Sequence, residues 1–266
     1  MASEKSNSPY SMNAMLDFVT NNAGLLFLGV SLLVVGFLGG AMWRENAMLK
    51  AGIGGGTGTQ IAAGAGDPGA AAPAPATELS EADWKAVQEG GVGVIGQNNA
   101  KVTMVEFTDY QCPFCSRHYT TAYKTIKEKY IDTGKVKLVL RDQALPFHPN
   151  AKPAAIAVRC AVEQNKGKLE AMHDTLFDKQ DEWSNLSADQ AAAKFGEYAT
   201  ANGLNGATLT QCVKDGKFSK EVEADMALGT KVGASGTPTF FINGKMVVGA
   251  QDISVFETEI ENALNS

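Results

Sequence analysis

The sequence predicts an α/β domain interrupted by a helical subdomain, preceded by one N-terminal transmembrane helix and a flexible linker. Three observations predict it. An apolar strand-like run, Val102 to Thr108, leads into a helical pattern and then into a second strand, Val136 to Leu140. So short a return implies a right-handed parallel crossover. From Asn150 to about Val232 the pattern is helical throughout, and the chain then finishes as strand, Asn243-Gly244, strand and helix. Asn-Gly between strands is the strongest short hairpin signal.

The elements follow in chain order. Residues 1–22 are expected to be a short cytoplasmic segment with a single lysine, Lys5. No charge occurs between Asp17 and Arg44, and Ala23 to Met42 is nearly all apolar or small. About twenty helical residues cross the hydrocarbon of a bilayer. Residues 23–43 are therefore read as an uncleaved anchor, with Trp43 at the interface. A cleaved signal peptide is the alternative, although the leader is long and poor in basic residues for one. Residues 44–76 form a linker, almost wholly Gly, Ala, Pro and Thr from Ala51 to Ala76. Such a tract cannot bury a core and acts as a tether. Its glycines do not follow a strand, which excludes a phosphate loop on context.

Residues 77–266 are the globular part, with a helical insertion at about 145–232. Ser80 reads as an N-cap, with Trp84 packing on the domain and Gly90-Gly91 ending that helix. A helix from Cys112 to about Tyr130 keeps Tyr119, Tyr123, Ile126 and Tyr130 near one face, and Thr133-Gly134 stops it. In the insertion, helices are expected at Ala154–Gln164, Lys168–Lys179, Ala188–Ala201 and Lys217–Thr230. Strands Thr239 to Ile242 and Met246 to Val248 form the hairpin, and Asp252–Asn265 closes the domain.

Charge and composition exclude some function classes. The formal charge is −6, and the basic residues are interspersed among acids. The absence of a basic stripe argues against a nucleic-acid partner. Three scattered histidines, His118, His148 and His173, make no metal site. His118 is read as solvent-facing, His148 as structural and His173 as an ordinary helix contact. No cofactor is expected.

Cys112-Pro113-Phe114-Cys115 lies between the first strand and its helix. A helix N-terminus offers free N–H groups and a positive dipole end, both of which favour a thiolate. Cys112 can attack a disulfide, and Cys115, one turn on, can resolve the mixed disulfide. Pro113 suits the first turn, where its missing N–H costs nothing. Ser116 excludes c-type haem attachment, which needs His after the second Cys. The chemistry read from the motif is dithiol–disulfide exchange. Because disulfides persist outside the cytosol, it places the domain there. The Lys and Arg count around the anchor leans slightly the other way, so the placement rests on the cysteines.

Three separated motifs occur in order: Phe107-Thr-Asp-Tyr-Gln-Cys-Pro-Phe-Cys115, Leu145-Pro-Phe-His-Pro149 and Gly236-Thr-Pro-Thr-Phe-Phe-Ile-Asn-Gly244. Together they resemble the DsbA family of thiol:disulfide oxidoreductases, in its membrane-tethered form, from roughly Gly93 onward. The resemblance implies a thioredoxin-like fold with an inserted α-helical subdomain. It assigns Cys112 as the more exposed nucleophile and Cys115 as the buried resolving thiol. It implies a cis Pro238 facing the cysteines, with the backbone of Thr237 free to bind an extended client. Glu106 matches an acid that accepts the proton of Cys115. From alternation alone, an outward-facing Glu106 is as good a reading. Pro113 and Phe114 tune the thiolate. The best-known oxidising relatives have His where Phe114 stands, so the resemblance implies a less oxidising site here. Some relatives carry a second disulfide, matched here by Cys160 and Cys212; two buried free thiols or a redox-active pair are the alternatives.

The resemblance implies an extracytoplasmic, membrane-anchored oxidase, single-pass, its catalytic domain facing the periplasm or cell exterior. It would pass disulfides to unfolded exported proteins and be recycled by a membrane partner of the DsbB or vitamin K epoxide reductase type. A disulfide isomerase or reductase is the alternative within the fold; the lack of a preceding dimerisation domain favours a monomeric oxidase. A non-catalytic chaperone module is a third reading, opposed by the intact cysteine pair.

Overall fold

The computed structural model describes residues 78–266. The expected anchor at 23–43 and linker at 44–76 lie outside them. Among the described residues no helix is long and apolar enough to cross a membrane.

The first helix, α1 (Glu81–Gln88), is capped by Ser80, whose hydroxyl accepts from the Asp83 N–H at 3.1 Å. Strands β1 (Gly93–Ile95), β2 (Val102–Thr108) and β3 (Val136–Asp142) follow. Between β2 and β3 runs one helical stretch, α2, made of Pro113–His118, Tyr119–Tyr123, Lys124–Ile126 and Lys127–Ile131. Its second and fourth parts are wound as π-helix. The insertion holds α3 (Ala151–Gln164), α4 (Leu169–Asp178), α5 (Gln180–Trp183), α6 (Ala188–Ala201), α7 (Gly206–Lys214) and α8 (Ser219–Lys231). Strands β4 (Thr239–Ile242) and β5 (Lys245–Val248) and helix α9 (Ile253–Asn265) complete the domain.

The five strands are ordered β1-β3-β2-β4-β5. β2 and β3 are parallel, as the short crossover requires, and the other pairings are antiparallel. The hairpin turn places Asn243 at φ 44° and Gly244 at φ 94°, the positive values an Asn-Gly turn supplies at least cost.

Every residue of β2 is buried, so both faces of the central strand carry core. Met104 and Glu106 point to the face shared with Leu138, Leu140, Phe240 and Ile242, which α2, α9 and the insertion cover. Val105 and Phe107 point to the other face, with Val139 and Phe241 against Val87 of α1. The Phe107 and Phe241 rings meet edge to face there at 6.0 Å. The stripe read on α2 is the buried one: Tyr119, Tyr123, Ile126 and Tyr130 all lie in the first core.

Two features fasten the insertion. Cys160 of α3 and Cys212 of α7 are disulfide-bonded across 52 residues of chain. A buried ion network joins β3, α3 and α8: Arg141 Nη1 reaches Asp225 at 2.6 Å, and Arg159 reaches Asp142 and Asp225, each at 2.6 Å. Arg141 also donates to the carbonyls of Val87 and Ala86 in α1, at 3.0 and 2.9 Å. Each charge is thereby paired, which is the condition for burying it.

Candidate functional site

The parallel pairing ends β2 at the edge where β4 begins, because β4 runs antiparallel to it. The loop after β2 therefore faces the loop before β4. Cys112 caps α2 and Pro113 occupies its first turn. Cys112 Sγ lies 3.5 Å from the carbonyl oxygen of Thr237, and the Thr237–Pro238 peptide bond is cis. Residues 125 positions apart thus share one site.

Both cysteines are reduced and buried, Cys112 at 3% exposure and Cys115 at 1%. Cys112 is the less buried of the two, but neither is open to solvent: what stands out is Phe114 at 53%, with the Arg117 guanidinium over its ring at 5.1 Å. The Leu145–Pro149 loop adds Phe147, exposed at 71%. Two aromatic rings, one in the first turn of α2 and one on the Leu145–Pro149 loop, are therefore open to solvent, while the sulfur is sheltered.

The two thiols are electrically unlike. The Cys112 thiol is pulled down to about 6, chiefly by its hydrogen bond with Cys115, against burial, with help from Thr237 and the N–H groups of Cys115 and Phe114. Cys115 is pushed well above its ordinary range by burial first, then by its bond to Cys112 and the charge there. A single proton shared between them leaves Cys112 as the thiolate at neutral pH.

Behind Cys115, Glu106 is buried on the sheet face that α2 covers, between Leu140 and Phe240 on the flanking strands. Its outward-facing alternative does not hold. Oε2 has no hydrogen-bond partner, and burial pushes the carboxyl up, opposed by His173. The negative charge of Glu106 in turn pushes Cys115 up. A buried carboxyl whose charged form is disfavoured can exchange a proton with the reluctant thiol in front of it.

His118 is not solvent-facing. It is 1% exposed, its ring 4.5 Å from that of Phe240 and 5.0 Å from that of Phe256. Neither ring nitrogen has a partner, and burial holds it down to about 3, so it is neutral. Position Cys115 plus three on an α-helix faces inward with the cysteine, a spacing that could have placed it. His173 is also buried, its Nδ1 2.8 Å from Asp174 Oδ1.

Sequence reasoning missed Asp109. This buried acid follows β2 and receives the N–H groups of Gln111 at 2.8 Å and Cys112 at 3.2 Å on Oδ1. The signal was there: an Asp two and three residues before backbone N–H groups at a strand-to-helix turn is the pattern of a local side-chain cap.

A family model described as thioredoxin matches residues 88–262. A Rickettsia bellii protein that bears the name of a protein-disulfide oxidoreductase is 32% identical over 156 residues, which are 57% of this chain and 56% of that one. The match thus spans little more than half of that relative's length. Disulfide bond formation protein D of Bacillus subtilis is 28% identical over 179 residues, covering 65% of this chain and 78% of the relative. Among solved structures, oxidised BdbD from Bacillus subtilis superposes with a TM-score of 0.60 at 27% identity, over 65% of this chain and 92% of that one.

Proposed function

Since the chain belongs to the thioredoxin family, among its DsbA-type thiol:disulfide oxidoreductases, we propose that it oxidises protein thiols through Cys112 and Cys115. The observation that carries this is the split between the two thiols: Cys112 lowered to about 6, Cys115 raised well above its usual range.

In the oxidised enzyme a client thiolate attacks Cys112 Sγ. The S–S bond to Cys115 breaks, and Cys115 leaves with the electron pair and takes a proton, with Glu106 as the nearby donor. A second client thiolate then attacks the client sulfur of the mixed disulfide. The client leaves with its own disulfide, and Cys112 departs as a stabilised thiolate. Two electrons end on the enzyme, and the reduced pair must be reoxidised by a separate acceptor. A low-pKa leaving thiol speeds the last step and stabilises the reduced enzyme, which makes the disulfide form the oxidant. Thr237, next to Pro238, offers its carbonyl beside the sulfur for an extended client to pair with.

The placement follows from the same chemistry. The domain works outside the cytoplasm on exported chains, held by the apolar segment 23–43 and recycled by a membrane redox partner of the DsbB or vitamin K epoxide reductase type. The Cys160–Cys212 disulfide supports an oxidising compartment. Phe114, which cannot hydrogen-bond a thiolate, supports a milder oxidant than relatives with His there.

The test is equilibration in glutathione buffers. A reduction potential near −120 to −200 mV, abolished by Cys112→Ser, is expected; one near −270 mV would make the protein a reductase instead.

A further inference from the structure

We propose that Asp109 and His148 act as a positioning pair, through which the Leu145–Pro149 loop fixes the backbone of the nucleophile and with it the fraction of Cys112 held as thiolate. The inference rests on the thiol-exchange reading and deepens it.

Cys112 is the N-cap of α2, yet its side chain makes no capping hydrogen bond. Its sulfur meets the Thr237 carbonyl instead, so the turn that carries it has to be held from elsewhere. Asp109 does this with both carboxylate oxygens. Oδ1 receives the N–H groups of Gln111 and Cys112 within its own loop. Oδ2 receives the Leu145 N–H at 2.9 Å and faces His148 Nδ1 at 2.7 Å, 36 and 39 residues away. One carboxylate therefore joins the amide of the nucleophile to the loop that carries exposed Phe147.

The Asp109 side chain has no exposed surface, so water cannot substitute for a lost donor there. The rest of the strand-to-helix loop is bonded into the insertion in the same way. Gln111 Oε1 accepts from Asn150 N at 2.6 Å, and Gln180 Nε2 donates to the carbonyls of Tyr110 at 2.7 Å and Cys112 at 3.2 Å. His148 is the outward end of this clamp: its side chain is 17% exposed, and its ring lies 4.6 Å from that of Phe147. A buried acid that merely held the fold would contribute stability alone. A positioning acid contributes stability and also sets how readily the Cys112 sulfur ionises.

The experiment compares the full-length reduced protein with Asp109→Asn and His148→Ala by iodoacetamide alkylation of Cys112 between pH 4 and 9, thiolate absorbance at 240 nm and thermal unfolding. Asp109→Asn is expected to slow alkylation at pH 5 about tenfold, the equivalent of one unit in the thiol midpoint. His148→Ala should slow it about threefold, a smaller effect, since it cuts one of the two ties between Asp109 and the loop and leaves the Leu145 N–H in place. Should Asp109→Asn not fold, His148→Ala carries the test. Unchanged or faster alkylation in the folded variants, even with a lower Tm, overturns the positioning role. Wild-type alkylation at pH 5 as slow as that of free cysteine would overturn the exchange reading, and the positioning role with it. A reactive wild type with equally reactive variants overturns only the latter.

Discussion

Replacing Phe114 by His should make the enzyme a stronger oxidant, by an amount that depends on pH in a calculable way. Phe114 borders Cys112 and is more than half exposed, so an imidazole there stays partly solvated. A hydrogen bond to a charged group is worth about 1.5 kcal/mol at the low end, or about one unit on the Cys112 thiol. Cys112 would move from about 6 to roughly 5. Ionisation stabilises the reduced enzyme by RT ln(1 + 10^(pH − pKa)). At pH 7 the change is about 1.3 kcal/mol, or about 28 mV for a two-electron couple. At pH 5 the wild-type thiol is mostly protonated, and the same arithmetic leaves about 0.4 kcal/mol, or about 8 mV. Glutathione equilibria of both proteins at pH 7 and 5 provide the assay. No gain at pH 7, or an equal gain at both pH values, would refute thiolate stabilisation as the lever.

Glu106→Gln should slow reduction of the disulfide while raising stability at neutral pH. Burial raises the Glu106 carboxyl above its unfolded value, so the native state binds the extra proton and loses stability as pH rises above the ordinary carboxylate range. Urea unfolding of the variant and wild type should coincide near pH 4 and diverge by pH 8 in favour of the variant. Replacing Cys160 and Cys212 by Ala opens a 52-residue link and should cost about 4 kcal/mol by loop entropy, lowering Tm by roughly 8–16 °C, with glutathione equilibration at Cys112 unchanged. Asp225→Ala leaves Arg141 buried without its carboxylate and should cost about 3–5 kcal/mol in chemical denaturation.

Much of this architecture was legible because local signals and tertiary pairing agree. Ala188–Ala201 has the bounds read from sequence, fixed by the capping box of Ser187 and Gln190. The hairpin followed from Asn243-Gly244. β1 was not legible: its three residues form a strand only through pairing with β3, which no local pattern announces. The approach of α6 to α7 was equally hidden. A Cβ on Gly196 would sit 2.8 Å from the Gly206 carbonyl, a fact of packing between helices. At the site, Cys112, Cys115, Thr237 and Pro238 came from motifs, whereas the burial of His118 and the reach of Asp109 to the 145–149 loop depend on which faces the insertion covers. The single long helix expected from Lys168 to Lys179 is followed at once by a second short one, α5, which carries Gln180 to the nucleophile's loop.

Because β4 is antiparallel to β2, the carbonyl opposite Cys112 is supplied 125 residues later in the chain. During synthesis the cysteine pair emerges long before that wall exists. Until β4 docks, the pair lacks the edge on which a client would align, and Cys160 and Cys212 have both already appeared. The complete site therefore exists only once nearly the last segment of the domain has been made and β4 has docked.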